Sequence, residues 1–214
     1  MGDNGISPLY RQLAGNMDEA IRQQPYAMRG TGRPRDAGGK TARRSSRRAA
    51  CVALCALLLA ACSPTYNWRE VLIADGAARA TFPDRPATDT RDIRLGGRDL
   101  RFSLTSARVG DAVFAVGYAP LPPALAADPA GQRELADALV RALYANLGAE
   151  PPATPPAYGT DIEVRGHAGG RPVWALGRVW VQGGLLVEAV ATGSEKGLPA
   201  APAREFVGSL RFAQ

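Results

Sequence analysis

Residues 128–148, DPAGQRELADALVRALYANLG, decide how the rest of the chain is read. Asp128 is a residue type that caps helix starts, and Pro129 suits the first helical position, where its missing N–H goes unused. Leu135, Leu139, Leu143 and Leu147 then recur every four residues, with Ala138 and Ala142 beside them. That spacing stacks the side chains into one apolar stripe on a helix, and Gly148 supplies a C-terminal stop. A helix of this kind needs an apolar sheet face to cover, and the flanking segments provide one.

On the N-terminal side, Trp68 to Ile73 and Ala78 to Phe82 read as short strands around the turn pair Asp75-Gly76, and Pro83 and Pro86 end the second. Ile93, Leu95, Leu100, Phe102 and Leu104 alternate with Arg94, Arg101 and Ser103, with Gly96-Gly97 between them as a turn. Ala112 to Tyr118 is the next strand, and the reading is an antiparallel meander with one wet face. On the C-terminal side, Pro151 to Pro156 is a stiff linker too short to divide domains. Strands follow at Asp161 to Arg165, Val173 to Val181 and Leu185 to Thr192, the last two joined by Gln182-Gly183-Gly184. A short helix, Pro202 to Ser209, places Phe206, Val207 and Leu210 on one side before a closing segment, Leu210 to Ala213. This order predicts an α+β fold, with an antiparallel sheet of about six or more strands covered by one long and one short helix.

The first sixty residues have a different character. Residues 1–40 are polar, Gly-rich and without apolar periodicity, which predicts a disordered extension; Met28 would open a leader of more ordinary length. The basic block Arg43-Arg44-Ser45-Ser46-Arg47-Arg48 then precedes an apolar run of thirteen residues, Ala49 to Ala61. A charged n-region, an apolar core and small terminal residues make 41–61 a signal peptide. The run is too short to span a bilayer, which takes about 20 helical residues. A buried core helix would show a polar face, and this segment has none.

Leu59-Ala60-Ala61-Cys62 resembles the lipobox of bacterial lipoproteins, which implies cleavage before Cys62 and acylation of its thiol. Two or more acyl chains give stable membrane anchoring. Ser63 follows, rather than the Asp that resembles an inner-membrane retention signal, and this favours the periplasmic face of the outer membrane. The expected organisation is therefore a leader (1–40), a signal peptide (41–61), a lipidated tether (62–67) and a single domain (68–214).

Charge follows the same division. Of the 26 Lys+Arg and 20 Asp+Glu, 10 and 4 precede Cys62, which leaves 16 of each from Cys62 onward. The net charge of +6 thus belongs to the leader, and the domain has no global basic field to attract nucleic acid. All three cysteines, Cys51, Cys55 and Cys62, lie within twelve residues, so none remains downstream for a disulfide framework or a zinc site.

The order of elements also resembles the PsbP-like fold, and in particular a group of small bacterial envelope lipoproteins of unassigned role. The matching features are Trp68-Arg69-Glu70 soon after the lipidated cysteine, Phe82-Pro83 ending an early strand, and a helix between two strand groups. The closing Glu205-Phe206-Val207-Gly208-Ser209-Leu210-Arg211-Phe212 completes the resemblance, which spans about residues 66–213. It implies a binding or assembly factor without shared catalytic residues, and it transfers no site.

Candidate chemistry in the domain is sparse. His167 is the single histidine, placed in the Gly-rich turn Gly166 to Gly170, and has no second His or Cys to join it as a metal ligand. A phosphate loop should lead into a helix N-terminus, whereas these glycines lead into Pro172-Val173-Trp174 and a strand. Asp161 and Glu163 share a strand face with Arg165, which suits a wet surface better than acid–base work. Ser103, Ser106, Ser194 and Ser209 lack a nucleophile-elbow context. Trp174 and Trp180 share a face if no bulge intervenes; they are either core or the walls of a ligand groove.

The expectation is a non-catalytic lipoprotein, tethered to the membrane through Cys62 and binding an envelope protein partner or a small ligand, with no metal or cofactor. The alternatives are a periplasmic ligand carrier with a pocket between helix and sheet, or an enzyme with an unrecognised site.

Overall fold

The computed structural model describes residues 65–213; the expectations for the leader, the signal peptide, Cys62 and Ser63 lie outside the described residues. Nine strands and three α-helices follow in chain order. They are β1 (Arg69–Ile73), β2 (Ala78–Phe82), β3 (Ala87–Leu95), β4 (Arg98–Val109), β5 (Ala112–Pro120), α1 (Pro123–Ala126), α2 (Pro129–Asn146), β6 (Ile162–Ala168), β7 (Arg171–Gln182), β8 (Leu185–Gly193), α3 (Ala200–Ser209) and β9 (Arg211–Phe212).

The fold is α+β, and its strands form two sheets. A six-stranded antiparallel sheet has the order β3-β4-β5-β8-β7-β6, and a three-stranded antiparallel sheet has the order β1-β2-β9. Strand alternation along a sequence tells which face a side chain takes, not which strand lies alongside. The separation into two sheets is therefore not encoded in that alternation. Between β5 and β8 the chain leaves to build α1, α2 and the β6–β7 hairpin, and then returns to pair β8 with β5.

Alternate side chains of β5, β7 and β8 enter two separate cores. One contains Val113, Ala115, Ala175, Leu186 and Val190 together with the Leu135, Leu139 and Leu143 stripe of α2. The other contains Phe114, Val116, Leu176 and Val187 with Phe82 of the small sheet and Phe206 of α3. The long helix thus serves one core, while the short helix and the small sheet share the other. The expected single wet face fails at β5, where every residue from Ala112 to Gly117 is buried. Polar outer positions appear only on the sheet's flanks, as in β3.

Local signals explain most boundaries. Paired glycines at 96–97, 169–170 and 183–184 take positive φ, as tight hairpin turns require. The α2 stripe is buried as its spacing predicts, and Gly148 follows the helix with φ +64°. Asp128 occupies the N-cap position with extended backbone, but its carboxylate makes no capping hydrogen bond. The region 166–168 is strand rather than turn: β6 continues to Ala168, and the turn is confined to Gly169 and Gly170.

Candidate functional site

From Tyr66 onward the chain is part of the folded body. The Tyr66 and Trp68 rings stack with centroids 5.6 Å apart, and each meets the Phe114 ring edge-on at 6.2 Å. Between them, the Asn67 amide donates to the Pro83 carbonyl at 2.7 Å. Tyr66 and Asn67, at the end of the expected 62–67 tether, thus make contacts with the domain. The four steps from Cys62 to Tyr66 span at most about 14 Å.

β1 leads directly out of this anchor point. Its core-side residues are Val71 and Ile73, while Glu70 and Leu72 face outward. Leu72 is opposed by Arg79 on β2, and Arg79 by Arg211 on β9, so the three side chains form one cross-strand row. Leu72 is 71% exposed, and among the described residues only Tyr158 is another exposed large hydrophobic residue. A shallow cleft of about 390 Å³ at this row is lined by Leu72, Gly76, Arg79, Arg211 and Phe212. Arg79 lies 3.8 Å from Glu70 with both side chains more than half exposed, a pair worth little in water. The Arg211 guanidinium donates to the carbonyls of Gly208 and Leu210 at 2.6 and 2.8 Å, and stays exposed.

A second cleft, of about 430 Å³, contains His167 with Arg165, Gly166 and Glu195. His167 is an exposed strand residue whose amide donates to the Leu147 carbonyl at 2.8 Å. Gly166 is required there for contact rather than for phosphate binding, since a Cβ would stand 2.0 Å from the Leu147 oxygen. Arg165 donates to Glu163 at 2.9 Å and also to Glu195. Asp161 instead accepts from Arg178 at 2.5 Å. The two carboxylates at 161 and 163 are thus each held by a separate arginine, which is unsuited to shared acid–base work.

Trp174 and Trp180 do share a face, that of the second core. The Trp174 indole is buried and donates through Nε1 to the Leu198 carbonyl at 3.1 Å. Trp180 is half-buried, with its ring edge-to-face with Phe212 at 6.1 Å. Neither indole lines the two clefts above.

Ser103, Ser194 and Ser209 make hydrogen bonds within the fold. Ser103 shares a hydrogen bond with Thr90 across β3–β4, and Ser209 donates to the Phe206 carbonyl while accepting from the Thr81 amide. Ser194 donates to Asp111 at 2.5 Å and accepts from the Gly197 amide at 3.0 Å, fastening the 194–197 loop to the β4–β5 turn. Tyr66 is nearby: burial, and secondarily the Asp111 charge, raise its phenol pKa.

One ionisable group carries no local signal in the sequence. Glu188 on β8 is fully buried, on the face of the sheet that α2 covers. Burial pushes its carboxyl up to about 8. Strict alternation in Leu185 to Thr192 would have put every other residue in water, but β8 is interior on both faces.

Among the described residues no group of three or more His, Cys, Asp and Glu is placed to hold a metal ion. Nor is any described helix long and apolar enough to cross a membrane. In comparisons with known proteins, no family model matches the chain and no curated protein is significantly similar to it.

Proposed function

We infer that this protein is a non-catalytic bacterial envelope lipoprotein, cleaved before Cys62 and acylated on its thiol. Its single domain acts as a binding or assembly module close to the membrane surface. The observation that carries this reading is adjacency: Leu59-Ala60-Ala61-Cys62 stands four residues ahead of Tyr66, the first ring packed into the fold. A signal segment, a lipidation signal and a domain start in immediate succession are what an anchored lipoprotein requires. Ser63 favours the periplasmic face of the outer membrane. The sequence of strands, long helix, strands and short helix supports a PsbP-like domain, with α2 and α3 as its two helical covers. Ser194 and Ser209 are engaged in hydrogen bonds within the fold, and Asp161 and Glu163 in surface ion pairs, an arrangement that supports binding rather than catalysis.

Metabolic labelling with palmitate tests the reading. The wild-type protein should incorporate label, and Cys62→Ser should lose it and accumulate as the longer precursor. Undiminished labelling of the Cys62→Ser protein contradicts the assignment.

A further inference from the structure

We propose that the outer face of the small sheet, the row Leu72–Arg79–Arg211, lies on the anionic phospholipid surface that holds the acyl chains of Cys62. The proposal rests on the lipid-anchor reading and adds an orientation to it. Three observations carry it. The reach of about 14 Å from Cys62 to Tyr66 keeps β1, whose Leu72 lies six residues beyond Tyr66, close to the bilayer. β1 itself presents outward the large aliphatic residue Leu72, in a domain where almost all others are buried. Across the sheet from it stand two exposed guanidinium groups, Arg79 and Arg211, against the single carboxylate of Glu70.

An aliphatic side chain beside two arginines suits an anionic membrane surface. Leu72 can enter the boundary between headgroups and acyl chains, while the arginines contact phosphates and keep their stems along apolar surface. Because the anchor already holds the domain at the bilayer, the row has only to fix its orientation. The surface that would otherwise face water is then used, and α2 points away from the membrane on the far side of the large sheet.

The test uses the full chain expressed in a bacterium and recovered in its membranes. In the acylated mature form, Cys62 is blocked and Cys51 and Cys55 have left with the leader. A Leu72→Cys variant therefore carries one free thiol, to which an environment-sensitive fluorophore is attached. Arg141→Cys, on the exposed face of α2, is the control. Palmitate labelling of the same preparations reports the anchor independently. We expect labelled protein in which the probe at 72 is blue-shifted and shielded from iodide, while the probe at 141 stays wet. The shielding should persist after reconstitution into vesicles containing phosphatidylglycerol. Arg79→Ala with Arg211→Ala should lower the docked-to-free ratio about 30-fold, equivalent to about 1 kcal/mol per arginine.

Palmitate incorporation with a probe at 72 as wet as at 141 overturns the docking and leaves the anchor standing. Shielding in native membranes that vanishes in protein-free vesicles assigns the surface to a protein partner and overturns the proposal. Absence of palmitate overturns the anchor and the docking together.

Discussion

Glu188 on β8 stands directly opposite Gly117 on β5, inside the α2-facing half of the molecule. The glycine has a reason to be there: the Phe102 ring crosses its Cα, and a Cβ would lie 2.5 Å from the ring's Cζ. A carboxyl, a glycine and a phenyl ring thus share one stretch of an otherwise aliphatic interior.

Stability should fall as pH rises through the neutral range. The carboxyl of Glu188 titrates from 4.5 in the open chain to about 8 when buried, so the folded state holds the proton more tightly. Its contribution is complete below the lower value and is lost as pH climbs towards the upper one. The loss should be on the order of 3 kcal/mol between pH 5 and pH 8. Urea unfolding at the two pH values measures it. Glu188→Gln should flatten the dependence across that window; an unchanged slope would show that another group is responsible.

Gly117→Ala should destabilise the domain by about 1–3 kcal/mol, the usual cost of overpacking a filled core. Combining it with Phe102→Leu should recover part of the loss, because the smaller side chain vacates the space that the new methyl needs. Thermal melts of the two single variants and the pair give the coupling. Simple additivity would mean that the ring is not what opposes the methyl.

Two leucines separate core from surface. Leu139→Ala should cost about 2–5 kcal/mol, because the side chain is wholly buried in the α2 stripe and its loss leaves a cavity. Leu72→Ala should stay within about 0.5 kcal/mol, since nothing in the fold depends on its burial. Chemical denaturation of both variants checks the contrast. A large loss at Leu72 would argue that it packs within the domain.

Trp68→Ala should loosen the attachment of the tether, since its ring stacks on Tyr66 and meets the edge of Phe114. The expected destabilisation is about 1–3 kcal/mol, accompanied by faster proteolysis on the N-terminal side of β1. Equal cleavage rates in wild type and variant would separate the ring cluster from any role in fixing the tether.

How much of this was legible in the sequence differs by element, for physical reasons. The α2 stripe announced itself because four leucines at four-residue spacing can share a face only on a helix. Hairpin turns were equally plain where two glycines stand together, since both positions need positive φ. The first half of β3 gave no signal because Ala87 to Asp92 is largely exposed on both faces as a sheet edge. β9 is two residues long, and its pairing with β2 joins segments far apart in the chain, which no local pattern encodes. The shared face of Trp174 and Trp180 follows from strand parity; that the Leu198 carbonyl and the Phe212 ring are their partners does not. The Leu72–Arg79–Arg211 row was invisible for the same reason: three ordinary residues become a surface only when their strands are placed side by side.

The central claim concerns Cys62, and intact mass measurement of the protein extracted from membranes tests it most directly. The expected species is a polypeptide that begins at Cys62 and is heavier than its sequence by a diacylglyceryl group and an amide-linked acyl chain. A species that carries leader residues before an unmodified Cys62 would contradict it.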